Sequence, residues 1–225
     1  LSKYCFLPKE NIVSAPDEKS IYDIPLNFDK ENVAKKILTA LDLKGKDTSL
    51  VSTWRKKVSK LKNPKREIDI AIVAKDFKSG NFDVKDSYAS VLEAINHASW
   101  EFSLKANIHW IMADELKSGK KASLKKLSGM DGILVPQNWG SDGSEGKMKA
   151  IQYARENKIP FLGLCYGMQM AAVEYARNVL SIEDANSQEV DPKCKNQVIH
   201  QPERQEKPAK EGKYEGDIRL GAWPC

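Results

Sequence analysis

The sequence predicts an α/β fold: an open, mostly parallel sheet with helices on both faces. Three observations lead there. From residue 68 onward, short apolar runs alternate with amphipathic stretches, the chain order of parallel strands joined by crossover helices. The runs are continuously apolar rather than alternating, as expected of strands buried on both faces. The 225 residues are 41% apolar and 30% charged, which supplies a sizeable core and argues against disorder throughout.

Taken in order, Tyr4-Cys5-Phe6-Leu7 reads as a strand end stopped by Pro8. Pro16-Asp17 is a turn signal. Residues 20–26 are expected to be extended, because Ile24 precedes a proline. Asp29 is placed to cap a helix over residues 30–41, with Val33, Ile37, Ala40 and Leu41 on one face. A lysine-rich helix around residues 54–65 follows and is broken by Pro64. This gives a first region over 1–45, a linker over 46–67 and a main domain over 68–225. Within the last, strands are expected at 68–74, 108–111, 132–136 and 160–164. Helices are expected from Asp86 (carrying Val91, Leu92 and Ile95), over 144–157 (Met148, Ile151, Ala154 and Arg155 on one face) and over 166–180. Residues 124–130 read as a short helix or turn. The region after Asp184 is polar and turn-rich, with a strand at 197–200 and a charged loop over 201–216.

Composition gives several function classes no support. The 36 Lys+Arg against 31 Asp+Glu leave a net charge of +5 spread along the chain, with no basic block for nucleic acid. The most apolar stretch, 159–173, is interrupted by Gln169 and is shorter than the roughly 18 residues of a membrane span. The 4 cysteines form no Cys-x-x-Cys pair and follow no secretory signal, so a reducing cytoplasm is expected. The 3 histidines are far apart, with no zinc-ligand spacing. The chain starts at Leu1 and stops at Cys225; both ends read as cuts through a longer polypeptide.

The sharpest signal is Gly163-Leu164-Cys165-Tyr166-Gly167, between an apolar strand and a strong helix. A nucleophile on a tight strand-to-helix turn sits in strained backbone, so its close neighbours must be small. The turn lifts the thiol out of the sheet and sets it at the positive end of the following helix, a field that favours thiolate. The backbone N–H of Tyr166 can then face an oxyanion. Met168, Ala171, Ala172, Tyr175 and Val179 are expected to form that helix's buried face. Read alone, the five residues fit a buried structural cysteine about as well; the strand–turn–helix context favours the nucleophile.

Further segments carry a resemblance. They are Ser20-Ile21-Tyr22-Asp23-Ile24-Pro25-Leu26, Asp86-Ser87-Tyr88-Ala89-Ser90-Val91-Leu92-Glu93-Ala94, Gly132-Ile133-Leu134-Val135-Pro136 and Glu145-Gly146-Lys147. Ala154-Arg155-Glu156-Asn157-Lys158-Ile159-Pro160-Phe161-Leu162-Gly163, Gly167-Met168-Gln169, Ala176-Arg177-Asn178-Val179-Leu180, Asp184-Ala185-Asn186-Ser187-Gln188-Glu189 and Ile218-Arg219-Leu220-Gly221 follow in order. Together they resemble the CTP synthase family over nearly the whole chain. The resemblance implies that residues 1–45 are the tail of a P-loop-type synthetase (amidoligase) domain, 46–67 the linker, and 68–225 a class I glutamine amidotransferase domain, truncated before its His and Glu.

The activity so implied is ATP-dependent amination of UTP to CTP, with L-glutamine as nitrogen donor. This chain would be the glutamine-hydrolysing, ammonia-supplying half. By the same resemblance, Cys165 is the nucleophile, Asn138 and the N–H of Tyr166 form the oxyanion hole, and Trp139, Gln169, Glu189 and Arg219 bind glutamine. Glu189 suits an α-ammonium, and Arg219 an α-carboxylate held bidentately. Tyr4 and Asp17 match nucleotide-facing positions. ATP and Mg2+ belong to the synthetase domain, GTP is the implied activator, and the family suggests a homo-oligomer, a tetramer.

Departures are specific. Pro136-Gln137-Asn138-Trp139-Gly140 stands where the family has Pro-Gly-Gly-Phe-Gly, and Asp142 where it has a lid arginine tied to the GTP response. Asn tolerates a left-handed backbone better than other non-glycine residues. The family's His-Pro-Glu segment, which supplies base and orienter, does not occur here. His97, His109 and His200 stand in no matching context, so negligible turnover by the chain alone is expected. The competing expectation is a non-catalytic, glutaminase-like regulatory or scaffold module.

Overall fold

The computed structural model describes residues 1–46, 49–75, 78–79, 82–83 and 85–200. The predicted loop over 201–216 and Arg219 lie outside the described residues. The chain divides into two compact units. One is Leu1–Glu67 with Ile95–Lys105, and the other is Ile68–Ala94 with Ala106–Cys225.

The first unit is helical, and several sequence expectations for it fail. Residues expected as a strand end form a short helix, α1 (Ser2–Cys5), because the Leu1 carbonyl accepts from both Tyr4 and Cys5 N–H. Four apolar residues are too few for period to separate strand from helix. Residues 20–26 are not extended. A 3-10 turn (Ile21–Asp23) runs into α2 (Ile24–Lys30). Ser20 starts the turn by accepting the Tyr22 N–H at 3.3 Å, and Pro25 sits in the helix's first turn, where its missing donor costs nothing. The helix expected over 30–41 is split at Asn32, which is left-handed at φ 53°, and resumes as α3 (Val33–Ala40). Asp29 caps nothing there and instead meets Arg55 at 3.5 Å. The lysine-rich helix is α4 (Leu50–Lys62). Its Trp54 donates to the Tyr22 carbonyl at 2.9 Å. Tyr22 also meets Trp100 edge-on at 4.6 Å, and its hydroxyl bonds His97 Nε2 at 2.7 Å.

The second unit carries the sheet. Its strands are β1 (Arg66–Ala74), β4 (Leu104–Met112), β5 (Gly132–Val135) and β6 (Phe161–Gly163), in spatial order β4-β1-β5-β6. β1 pairs parallel with β5, Ile70 opposite Gly132. β5 pairs parallel with β6, Val135 opposite Gly163. Short β2 (Lys78–Ser79) and β3 (Phe82–Asp83) pair antiparallel. A parallel pair follows, β7 (Ala185–Ser187) and β8 (Asn196–Ile199); β8 lies where a strand is expected at 197–200, whereas β7 falls in the turn-rich region because three residues of Ala-Asn-Ser carry no strand periodicity. The helices are α5 (Ala89–Glu101), α6 (Ala113–Leu116), α7 (Lys121–Leu124), α8 (Ser144–Glu156) and α9 (Tyr166–Asn178).

The core joins Ala71, Val73, Ile133 and Val135 of the sheet to Met148 and Ile151 of α8 and Met170 and Val173 of α9. The α/β expectation holds, but the predicted face of α9 does not. Met168, Tyr175 and Val179 are exposed, whereas Tyr166, Gly167, Met170, Val173, Glu174 and Ala176 are buried. The reason is steric. A Cβ on Gly167 would stand 2.0 Å from the Val135 carbonyl oxygen, so residue 167 is where the helix touches the sheet, and the phase of every later turn follows. Among the described residues, no helix is long and apolar enough to cross a membrane.

Candidate active site

Two loops meet the crevice beyond the carboxyl ends of adjacent parallel strands, where ligands bind in open α/β sheets. One follows β5 (residues 136–143) and the other is the turn from β6 into α9. The second turn is tight. Leu164 N–H donates to the Val135 carbonyl at 2.9 Å, and Cys165 then adopts φ 51°, ψ −106°. This backbone is rare for a residue with a Cβ and marks stored strain of the kind found at functional residues. Glycine is obligatory on both sides: a Cβ on Gly163 would lie 2.6 Å from the Gly167 carbonyl carbon, and one on Gly167 would strike β5. The Cys165 side chain is exposed, not a packed core thiol. The Cys165 carbonyl accepts from Met168 and Gln169 N–H at 3.1 Å each, and Gly167 N–H donates to Leu164. Among the described residues the Tyr166 N–H has no backbone partner, as the first donor of a helix should not.

Tyr166 does more than expected of it. It is 1% exposed, and its hydroxyl donates to the Gly140 carbonyl at 2.7 Å. Burial, and then the negative charge of Glu189, push its proton affinity well above the ordinary tyrosine range. Lys147 Nζ sits 4.8 Å from its ring centroid, and Lys147 is itself fully buried. Glu189, after β7, accepts the Gly140 N–H at 2.7 Å. Both peptide groups of Gly140 are thus held by side chains from two other segments.

Asn138 is buried and its side chain donates to the Asp142 carbonyl at 3.3 Å. Neither Gln137 nor Asn138 adopts a left-handed backbone; only Gly140 and Gly143 in this loop do. The glycines missing from the resembled pattern are therefore not needed here for φ. Asp142 contacts Lys75, whose ammonium, by hydrogen bond and charge, holds the carboxyl below the usual range. Trp139 is half exposed. Gln169 Oε1 is buried with no hydrogen-bond partner among the described residues, a cost of about 1–3 kcal/mol unless a ligand donor meets it. The structure therefore brings Asn138, Trp139, Tyr166 and Glu189 together through Gly140, with Cys165 and Gln169 on the adjoining turn. Tyr4 and Asp17 are exposed residues of the first unit. No hydrogen bond joins a histidine to Cys165 among the described residues: His109 pairs with Asp69 at 2.7 Å, and His200 meets Gln197 at 3.3 Å.

A family model for class-I glutamine amidotransferase matches residues 83–218. The chain belongs to that family. Along its whole length this amidotransferase is similar to the CTP synthase of Nostoc punctiforme, 39% identical over 225 residues that make up 100% of this chain and 39% of that protein. The CTP synthase of Methanocaldococcus jannaschii is 42% identical over 230 residues, 100% of this chain and 41% of that protein. The chain thus spans about two-fifths of the length of these curated relatives. Among solved structures it is similar to the Trypanosoma brucei CTPS glutaminase domain with bound acivicin, with TM-score 0.54 and 36% identity over 59% of this chain and 49% of that one.

Two residues of the amidotransferase's interior escaped the sequence reading. Lys147 and Glu174 are both buried, Glu174 held by Arg155 at 2.7 Å and by Asn178 at 3.0 Å. A signal existed. Lys147 continues the stripe Ser144, Met148, Ile151, Ala154, and Glu174 the stripe Tyr166, Met170, Val173. A charged residue on an apolar stripe is either paired or functional.

Proposed function

We propose that this chain is the glutamine-hydrolysing portion of a CTP synthase, supplying ammonia for ATP-dependent amination of UTP in the cytoplasm. The observation that carries the reading is an exposed cysteine in strained backbone at the head of α9, in a chain similar throughout to CTP synthases. In this reading the Cys165 thiolate attacks the side-chain amide carbon of L-glutamine. The carbonyl electrons move onto oxygen, which the Tyr166 N–H and the Asn138 backbone stabilise. Collapse forms a glutamyl thioester and breaks the C–N bond; the departing nitrogen takes up a proton and leaves as ammonia. Water then hydrolyses the thioester to glutamate.

Glu189 suits the substrate α-ammonium, since among the described residues no hydrogen bond reaches its second oxygen beside the Gly140 bond. Gln169 Oε1, buried and without a hydrogen-bond partner among the described residues, is ready for a donor. Arg219 takes the α-carboxylate, and Trp139 walls the pocket. Tyr4 and Asp17 belong with the nucleotide-binding half. ATP and Mg2+ serve that half. Asp142, held by Lys75, puts a negative charge where the resembled pattern has a lid arginine, so GTP acts weakly on this chain. The whole protein assembles as a homo-oligomer. A non-catalytic module is not favoured, because such a module has no use for an exposed, strained cysteine.

The test is covalent labelling. A glutamine-analogue electrophile is expected to modify Cys165 alone by peptide mass spectrometry. Excess glutamine should protect it, and Cys165→Ala should abolish the adduct. Labelling that is absent, or spread over Cys5 and Cys194 without protection, overturns the reading.

A further inference from the structure

We propose that Tyr166 is a positioning residue whose hydroxyl, through the Gly140 carbonyl, ties the loop that follows β5 to the nucleophile turn. The inference rests on the glutaminase reading and deepens it. One residue reaches both sides of the site: its backbone N–H follows Cys165 directly, and its hydroxyl holds Gly140 at 2.7 Å. The same glycine's N–H is held at 2.7 Å by Glu189, so the loop bearing Asn138 and Trp139 is clamped between α9 and the segment after β7.

The ring cannot swing away. It is 1% exposed, and the buried ammonium of Lys147 lies 4.8 Å from its centroid. Packing alone does not account for the hydroxyl, since a phenylalanine ring fills the same volume. What the oxygen adds is a donor aimed at one carbonyl of one loop. A loop with non-glycine residues at 137 and 138 gains from such an external tie, because oxyanion stabilisation depends on donors fixed before charge develops.

Tyr166→Phe removes that donor together with the hydroxyl's hydrogen bond to Ser144 at the head of α8. Hydrogen exchange of the backbone amides at 138–141 is expected to speed up about fivefold or more, the equivalent of one neutral hydrogen bond. Saturation labelling of Cys165 by a glutamine-analogue electrophile is expected to lose about five- to tenfold in maximal rate. Its half-saturating concentration should stay within about twofold, because Glu189 and Gln169 are untouched. Iodoacetamide, which needs no oxyanion donors, should alkylate Cys165 at the same rate in both proteins.

Unchanged exchange at 138–141 overturns the proposal, as does an unchanged maximal labelling rate. Lys147→Met, which removes the ammonium facing the ring, is a second route should Tyr166→Phe fold poorly. Exchange at the same amides must rise there too, and no rise overturns the clamp. Failure of the glutaminase reading looks different: the analogue then leaves wild-type Cys165 unlabelled, while exchange still decides the clamp.

Discussion

Replacing the nucleophile with glycine should stabilise the protein more than replacing it with alanine. Cys165 has φ 51° and ψ −106°, a region costing a side-chain-bearing residue about 1–3 kcal/mol. Cys165→Ala keeps the Cβ and therefore the strain. Cys165→Gly removes it, but adds about 0.5–1 kcal/mol of backbone entropy lost on folding. Taking the middle of each range, the difference favours glycine by about 1.2 kcal/mol, or roughly 2–5 °C in melting temperature for a chain of this size. The side chain is exposed, so neither variant opens a core cavity, and the comparison isolates the backbone. Urea titrations followed by far-UV circular dichroism, with equal slopes, measure it. An alanine variant as stable as the glycine variant, or more so, would refute the strained-turn interpretation.

Other expectations can be checked alongside. Gln169→Leu should raise the ligand-free unfolding free energy by about 1–2 kcal/mol, since it deletes a buried unsatisfied acceptor, while abolishing labelling by the glutamine analogue; a loss of both would deny Gln169 its role. Arg155→Met strands the Glu174 carboxylate, whose side chain is only 2% exposed, and should cost about 3 kcal/mol in urea unfolding. Arg155→Met with Glu174→Leu should recover most of it. Tyr166 contributes to alkaline stability with a definite sign. Its folded proton affinity is raised above the ordinary value of 10.0, so that contribution is complete below pH 10 and is lost as the pH climbs toward the folded value. Stability curves of wild type and Tyr166→Phe should therefore converge above pH 10, and parallel curves would contradict it.

The nucleophile turn was legible because its chemistry and sterics occupy five contiguous residues: glycines two positions either side of a cysteine, a strand before and a helix after. The sheet was legible from continuous apolar runs such as residues 71–74 and 132–135. Helix phase was not. Met168 and Tyr175 are as apolar as Met170 and Val173, and only the contact between Gly167 and Val135, which are far apart in sequence, decides which set turns inward. The first unit was misread for a related reason. In Ile24-Pro25 the extended preference is statistical, and a turn nucleated by Ser20 overrides it. The Tyr166–Gly140–Glu189 connection joins three segments by two hydrogen bonds, and no local pattern announces such a link.

The open setting of the Cys165 sulfur has a cost beyond catalysis. A thiol that a substrate can reach is equally within reach of peroxide and dissolved oxygen, and sulfinate, once formed, resists ordinary reductants. Samples kept in air should thus fade in reactivity while their fold persists. Titrating intact thiol, rather than weighing protein, gives the true concentration of competent molecules.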